Sequence, residues 1–266
     1  MRILRESGNY LKRKALRNLI LAILCFVVFA GIFFTSIDFL PLYVNVDRYE
    51  GVRTLSLLFP LIFGLYFLRQ HGRYRQGCKG EDEVTRVLSS ALSDDYHLIN
   101  DVIFSDGYGN IDHIVLGPNG LFTIETKNHR GKIKCYGDHW SWQYRRTNRT
   151  GLDHSTNIDL GSSPSKQVKM NVVRVKKALR ALDAFGLSDV WINGAVVFSN
   201  PNVDLEIIEP PPNVDILRVQ ELPEYIKTKK SRNHFSQKEI DLIGEEILKQ
   251  SARAKAKEIY TRHFQM

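Results

Sequence analysis

Residues 111–128 read IDHIVLGPNGLFTIETKN, and the rest of the chain is best understood from this stretch. An apolar run precedes the sequence GPNG and an alternating run follows it, which is typical of a β-hairpin. An even-length turn makes directly opposed residues sum to an odd number, so Asp112, Glu125 and Lys127 fall on one face, within cross-strand reach. The stretch therefore predicts two carboxylates and an amine at one place.

This predicted cluster has a chemical consequence. Two carboxylates a few ångströms apart repel each other, and a hard cation such as Mg²⁺ or Mn²⁺ resolves the repulsion. A lysine beside such an ion can stabilise a phosphate oxyanion or orient an attacking water. The alternative is a cross-strand salt bridge on a solvated face. His113 falls on the opposite strand face from Asp112, so we do not expect it to be a ligand.

Composition sets the broad class of protein. The chain has 266 residues, of which 43% are hydrophobic and 25% charged, enough for one medium domain and an accessory segment. A net charge of +8 is compatible with binding to nucleic acid or to an anionic membrane surface. Cys25, Cys78 and Cys135 are far apart and form no zinc spacing or disulfide framework, which suits a reducing compartment.

Two apolar runs precede the domain. Residues 19–37 are long enough to cross a bilayer as a helix, whereas residues 55–68 are shorter and contain Pro60 and Gly64. The second run can cross the bilayer only if its flanking residues are included, at about residues 52–69, or if it forms the return arm of a hairpin. Basic residues precede the first run and follow the second: Arg2, Arg5, Lys12, Arg13, Lys14 and Arg17, then Arg69, Arg73, Arg75 and Lys79.

This charge distribution predicts a topology. By the positive-inside rule, a two-span hairpin places both ends in the cytoplasm and the loop outside, in the cell (inner) membrane. One span with a buried or interfacial second run is the alternative, and a cleaved signal peptide lacks a clean small-residue cleavage site. Because neither run contains a charge, the segment resembles an anchor rather than an ion or proton pathway.

The pattern of elements predicts an α/β domain with a mixed sheet flanked by helices. We expect a helix that begins at Glu81, strands at residues 96–104, 131–136 and 139–144, and a polar loop at residues 145–163. Ser163 and Pro164 then start a second helix, followed by strands at residues 191–199 and 214–219. The predicted segments are an anchor at 1–75, a domain at 77–228 and a C-terminal amphipathic helix at 229–266.

Some side chains in this domain have both structural and functional interpretations. The aromatic stripe Trp140, Trp142 and Tyr144 is more typical of a core than of a base-stacking platform. Basic residues of the loop and of the second helix can bind phosphates or simply face solvent. The candidates for substrate binding are Lys166, Lys169, Arg174, Arg145 and Arg146.

Several short motifs, in this order, carry a resemblance to a known family. They are GE at residues 80–81, G-x-IDH at 109–113, G-x-x-x-x-E-x-KN at 120–128, Gly131, and P-x-x-Q at 164–167. Over about residues 77–200 the chain resembles the nuclease-related domain, called NERD. The resemblance implies the restriction-endonuclease-like fold of PD-(D/E)xK enzymes, here preceded by the transmembrane hairpin.

The resemblance also implies a role for each site residue. Asp112 and Glu125 would be metal ligands, with the backbone carbonyl of Thr126 as a third. Lys127 would be the catalytic lysine. Glu81 on the first helix would be an auxiliary carboxylate, and Gln167 would orient substrate or water.

These expectations combine into one function. The protein is expected to be a membrane-anchored, Mg²⁺- or Mn²⁺-dependent nuclease that cleaves DNA, more than RNA, on the cytoplasmic side. The alternative is a catalytically inactive module at the membrane that binds nucleic acid or acts as a scaffold. The sequence does not distinguish endonuclease from exonuclease action.

Overall fold

The computed structural model describes residues 1–6, 9–38, 46–147, 153–159 and 163–264. They form two compact units, Asn9–Cys78 and a unit made of Met1–Gly8 and Lys79–Met266. The helices are α1 (Asn9–Asp38), α2 (Val46–Ala91), α3 (Pro164–Leu179), α4 (Leu222–Thr228) and α5 (Gln237–Phe264), with a 3-10 helix at Arg180–Phe185. The strands are β1 (Arg2–Arg5), β2 (His97–Ile103), β3 (Asn110–Gly117), β4 (Gly120–Lys127), β5 (Gly131–Tyr136), β6 (His139–Thr147), β7 (Asp153–Asp159), β8 (Ile192–Phe198), β9 (Val203–Glu209) and β10 (Asp215–Arg218).

A six-stranded mixed sheet is the centre of the larger unit. Its strand order is β1-β2-β3-β4-β8-β10. The neighbours of β3 are antiparallel to it, whereas β4 pairs with β8, and β8 with β10, in parallel. The predicted mixed α/β architecture with flanking helices is therefore confirmed.

Helices cover both faces of this sheet, because successive strand residues point to opposite sides. Ile114 of β3 lies in a core cluster with Val175 of α3 and Ile243 of α5. The next residue, Val115, lies in a different cluster with Leu88 of α2. Burial on both faces explains why β3 and β4 are apolar along most of their length.

The C-terminal helix contributes to this core. Ile240, Ile243 and Ile247 of α5 are fully buried beside residues of β2 and β3. The predicted helix at residues 229–266 thus belongs to the same compact unit as the sheet.

The first strand comes from the beginning of the chain. The sequence placed residues 1–75 in the anchor, but β1 pairs in parallel with β2, and Arg2 lies opposite His97. Arg5 donates hydrogen bonds from Nη1 to the Asp101 carbonyl at 3.2 Å and to Ser251 Oγ at 2.7 Å. Four residues are too few for periodicity to reveal a strand, so β1 could not be predicted from its own sequence.

A second, four-stranded sheet has the order β7-β6-β5-β9. It corrects the prediction that residues 145–163 form a loop. β6 extends to Thr147, and β7 pairs with it in antiparallel fashion. Polar composition suggested a loop, whereas cross-strand pairing decides the outcome. The rest of that predicted loop, residues 148–152 and 160–162, lies outside the described residues. β9 was also not predicted.

The helix that was predicted to begin at Glu81 is the last part of α2. That prediction of the helix start is wrong, because α2 continues through Gly77 and Gly80 without a break. A Cβ atom at Gly80 would lie 2.8 Å from Asn128 Cβ and 2.8 Å from Ser199 Oγ. Gly80 therefore permits a close approach between α2 and the strand ends rather than ending a helix.

The smaller unit contains the apolar runs. One helix segment, Tyr10–Phe34, is long and apolar enough to cross a membrane, with a mean hydropathy of 2.4 over its best window. Within the described residues, the run at 55–68 does not meet that criterion. Contacts join α1 to the first part of α2: His71 Nδ1 lies 2.9 Å from the Ala15 carbonyl. A Cβ atom at Gly64 would lie 3.1 Å from the Phe26 ring.

Candidate active site

The hairpin β3–β4 brings the predicted cluster together. Gly117 pairs with Gly120 across a two-residue turn, and Ile114 pairs with Thr123. Opposed residues therefore sum to an odd number, as the turn length predicts. Gly120 has a φ of 146°, which favours glycine at this position.

Asp112, Glu125 and Lys127 are held by specific hydrogen bonds. Asp112 Oδ2 accepts a bond from the Thr126 backbone N–H at 2.9 Å. Lys127 Nζ donates to Glu125 Oε1 at 2.7 Å. Glu125 is 7% exposed, so this ion pair is largely shielded from water. The sheet thus places an ammonium group and two carboxylates at one end of β4.

Gln167 reaches the same place from α3. Ser163 caps this helix by accepting a bond from the Lys166 N–H at 3.3 Å, and Pro164 occupies the first turn, as predicted. Gln167 follows Lys166 in this helix, and its Oε1 accepts a hydrogen bond of 2.8 Å from Lys127 Nζ. The lysine is therefore fixed between a strand carboxylate and a helix amide.

Glu81 approaches the cluster from α2. Its side chain is 3% exposed, and its Oε2 has no hydrogen-bond partner. Burial, together with the charges of Asp112, Asp101 and Glu125, raises the pKa of Glu81 to about 10. A buried carboxyl group with an unsatisfied oxygen is costly to the fold and is usually retained for a function.

Burial and neighbouring charges also shift the pKa values of Asp112 and Lys127. Burial, and then the charge of Glu125, raises the pKa of Asp112 well above its usual value. Burial would lower the pKa of Lys127, but the carboxylates of Glu125 and Asp112 outweigh it, so its pKa is raised. We call Glu81, Asp112, Glu125 and Lys127 the site cluster. If fully ionised, it carries three negative charges and one positive charge.

His113 and Thr126 lie on the other side of β3 and β4. His113 is fully buried, and its ring nitrogens lie 2.6 Å from Asn100 Oδ1 and 3.0 Å from Thr126 Oγ1. Burial lowers the pKa of His113 to about 3. Both ring nitrogens are engaged with protein atoms, in agreement with the expectation that His113 is not a ligand.

The predicted substrate-binding residues have different surroundings. Lys166 is exposed, whereas Lys169 Nζ lies 2.7 Å from Asp138 Oδ2 in an ion pair. Arg174 is 4% exposed and pairs with Asp106, so the structure places its guanidinium in the interior rather than at a phosphate-binding surface. Arg145 and Arg146 lie on β6 opposite β7, but their side chains are outside the described part of the chain.

A cleft of about 640 Å³ opens onto this site. Its lining includes Asp112, Glu125 and Gln167, together with residues that the sequence prediction did not assign to the site: Tyr108, Asp138, His139 and Asn171. Asn171 carried a recognisable signal, since it follows Gln167 by four positions and so lies on the same helix face. Trp140 also borders the cleft, yet it is 3% exposed and belongs to the core, as its stripe predicted.

The domain that contains this site is similar to a known protein family. Residues 76–199 match the model of the nuclease-related domain family, NERD. The nuclease-related domain thus contains α2 from residue 76 onward, β2 to β8 and α3, whereas β1, β9, β10, α4 and α5 lie outside the matched residues. The match to this family indicates a nuclease-related function.

One relative is similar over a shorter stretch. Over 69 residues the chain is 36% identical to an uncharacterized protein of Bacillus anthracis. The match covers 25% of this chain and 32% of the relative, so the chain spans about a third of the relative's length. No solved structure matches the chain.

Proposed function

We propose that this protein is a membrane-anchored, divalent-cation-dependent nuclease that hydrolyses phosphodiester bonds of DNA, or of RNA, with the restriction-endonuclease-like arrangement of a PD-(D/E)xK enzyme. The observation that carries the proposal is the site cluster itself. Asp112 and Glu125, on adjacent strands, border an open cleft within a nuclease-related domain. Lys127, which is bound to Glu125, and the buried carboxyl group of Glu81 lie beside them.

The donor set suits a hard cation such as Mg²⁺ or Mn²⁺. Among the described residues, no group of three or more His, Cys, Asp or Glu side chains forms a ready-made metal site. The candidate ligands are Asp112, Glu125 and the backbone carbonyl of Thr126, whose N–H already faces Asp112. A cation would relieve two features of the site: the unpartnered Oε2 of Glu81, and the repulsion among the carboxyl groups that helps to raise the pKa of Glu81 and of Asp112.

A cation held by these residues would polarise a phosphate and lower the pKa of a bound water. The side chains of the protein have the remaining roles. Lys127, fixed by Glu125 and Gln167, supplies positive charge to the phosphate oxygens as negative charge develops on them. Gln167 orients Lys127 and presents its amide to the cleft. Lys166, exposed at the cleft lining, attracts the substrate backbone.

Membrane anchoring is supported by the smaller unit. Large apolar side chains on both helices are exposed, such as Val27 at 62% and Phe59 at 66%. Contacts pair residue 15 with residue 71 and residue 26 with residue 64, as expected for an antiparallel hairpin. Exposed apolar surface of this extent suits a lipid environment.

The strand β1 supports an even number of crossings. β1 precedes α1, β2 follows α2, and the two strands are hydrogen-bonded in one sheet. Residues on either side of the 9–78 segment therefore lie on the same side of any membrane that the segment crosses. Together with the basic flanks, this favours two spans, with the N-terminus and the nuclease-related domain in the cytoplasm.

Labelling of single cysteines tests this topology. In a variant with Cys25, Cys78 and Cys135 replaced by serine, we would introduce Asp47→Cys or, as the cytoplasmic control, Lys230→Cys. In intact cells, a membrane-impermeant maleimide should label only the first variant, and permeabilisation should expose the second. A protected Asp47→Cys site, or a Lys230→Cys site labelled in intact cells, would contradict two spans with a cytoplasmic domain.

A cleavage assay on the full chain in detergent micelles tests the nuclease proposal. A fragment that starts at residue 75 would lack β1, so the full chain is the appropriate sample. Single- and double-stranded DNA and RNA would be incubated with Mg²⁺, Mn²⁺ or EDTA. Metal-dependent cutting should be lost in Glu125→Gln and Lys127→Met. It should persist in Glu83→Gln, which changes a partly exposed acid on α2 that pairs with Arg86.

The alternative function is a membrane-tethered module that binds nucleic acid without cleaving it. The absence of a ready-made three-ligand group among the described side chains favours this possibility. Binding of nucleic acid by the folded full chain without cutting under any of the metal conditions would support it. Cutting that survives Glu125→Gln would instead show that the site is misassigned.

A further inference from the structure

The inner face of α3 carries a continuous row of polar side chains. Gln167, Asn171 and Arg174 are spaced by four and then three positions, so they lie along one stripe of the helix. Asn171 is 5% exposed and Arg174 is 4% exposed. Buried polar side chains on the face of a helix that meets the sheet require an explanation, because each must find hydrogen-bond partners.

Arg174 uses its guanidinium to join α3 to the turn between β2 and β3. Nε and Nη2 bind the two oxygens of Asp106 at 2.7 and 3.1 Å. Nη2 also donates to the Gly109 carbonyl at 2.9 Å. Nη1 donates to Asn171 Oδ1 at 3.1 Å. The planar fork of arginine suits such simultaneous bonds, whereas a lysine ammonium would not reach all of them.

The bond to Asn171 fixes which way its amide points. Because Oδ1 accepts from Arg174, the Nδ2 group faces the sheet and donates to Glu125 Oε2 at 3.4 Å. The other oxygen of the same carboxylate, Oε1, accepts from Lys127 at 2.7 Å. Both oxygens of Glu125 are thus contacted by donors, one from its own strand and one from α3.

We propose that Asn171 and Arg174 are positioning residues of the active site: Arg174 orients the Asn171 amide, and that amide fixes the Glu125 carboxylate for cation binding. The proposal rests on the proposed function and extends it to residues that need not touch the substrate. Partners that orient a metal ligand commonly change cation affinity or activity by about 10- to 100-fold when removed.

Cation binding by the full chain tests the proposal without reference to turnover. Mn²⁺ titrated into the wild type and into Asn171→Leu would be followed by calorimetry. We expect Asn171→Leu to weaken Mn²⁺ binding by about 10- to 100-fold and to lower kcat more than it raises KM. Asn171→Leu that is less stable but binds Mn²⁺ as tightly as the wild type while folded would overturn the proposal.

Arg174→Lys serves as the second variant. It keeps a positive charge beside Asp106, so the fold should survive, but it removes the bond that orients Asn171. Its Mn²⁺ affinity should fall, and the double variant Asn171→Leu/Arg174→Lys should bind Mn²⁺ no more weakly than Asn171→Leu alone. Multiplicative losses in the double variant would show that the two residues act independently.

Failure of the proposed function is distinguishable from failure of this inference. If the wild type neither binds Mn²⁺ nor cleaves nucleic acid, the nuclease proposal fails. A crystal structure of Asn171→Leu then decides about positioning. A Glu125 carboxylate that has rotated away from its wild-type orientation supports the role of Asn171, and an unchanged carboxylate overturns it.

Discussion

Two groups of charged side chains in this domain differ in whether their charges are paired. In the Arg174 cluster, made of Arg174, Asp106, Asn171 and the Gly109 carbonyl, each charge has a partner. In the site cluster, three carboxyl groups accompany one ammonium group, and Glu81 Oε2 has no hydrogen bond. The two clusters meet at Asn171, which contacts Arg174 on one side and Glu125 on the other.

The pKa values of Asp106 and Asp112 are shifted in opposite directions, in keeping with this difference in charge pairing. Burial would raise the pKa of Asp106, but the bonds from Arg174 and from the Tyr108 N–H lower it below its usual value. The pKa of Asp112 is raised, because burial and the charge of Glu125 are not balanced by Lys127. A paired charge stabilises the fold, whereas an unbalanced one is a cost that the fold carries for its site.

The largest expected effect is at Asp112. Asp112→Asn keeps an oxygen for the Thr126 N–H and removes the carboxyl group whose ionisation burial and the charge of Glu125 oppose. We expect nuclease activity to fall by about 10³-fold or more, with a thermal midpoint no lower than that of the wild type. Cleavage of a labelled oligonucleotide and a thermal melt without divalent cations provide the two measurements. A strongly destabilised Asp112→Asn variant would contradict the contrast between the clusters.

Arg174→Met tests the cluster whose charges are paired. It leaves Asp106 and the Asn171 amide without their main partner, and we expect a loss of about 2–3 kcal/mol in the free energy of unfolding. The loss is below that of a wholly buried pair, since the Asp106 side chain is 31% exposed. Urea unfolding of Arg174→Met and of Arg174→Met/Asp106→Asn checks it. The double variant should regain part of the loss, and strict additivity would argue against a shared network.

Gly80→Ala tests how closely α2 must approach the site. The new Cβ would lie 2.8 Å from Asn128 Cβ, and we expect destabilisation of about 1–3 kcal/mol. Gly72→Ala is the matched control on the same helix, because its Cβ would meet nothing within 4 Å. The thermal midpoints of both variants should differ clearly. Equal midpoints would mean that the approach beside Glu81 is not tight.

The smallest expected effect is a difference in nucleic-acid binding between variants of two lysines of α3, Lys166 and Lys169. Lys166→Ala should weaken nucleic-acid binding, since Lys166 is exposed at the cleft. The slope of log binding constant against log salt concentration should become shallower by the amount that corresponds to about one lost phosphate contact. Lys169 is paired with Asp138, so Lys169→Ala should affect binding less and cost under about 1 kcal/mol of stability. Fluorescence anisotropy at several salt concentrations measures the difference. A larger effect at Lys169 would reverse our assignment.

Local patterns predicted the central part of the domain well. The alternating runs around GPNG predicted the hairpin and its register, and Ser163 with Pro164 predicted the start of α3. These signals depend on turn length and on helix capping, and both are determined by residues that are close together in the sequence. The strands β1, β7 and β9 were missed because their pairing partners are distant in sequence or their composition is polar.

By itself, the sequence determined that Asp112, Glu125 and Lys127 share one face of a hairpin, because strand parity follows from the length of the turn. It also carried the motifs of the nuclease-related domain. Only the tertiary structure decided which charges are paired. Arg174 and Lys169 look like phosphate-binding residues in the sequence, yet packing gives each of them an acidic partner. The same packing leaves Glu81 Oε2 buried without a hydrogen-bond partner, since burial and pairing depend on segments that meet only in the folded chain.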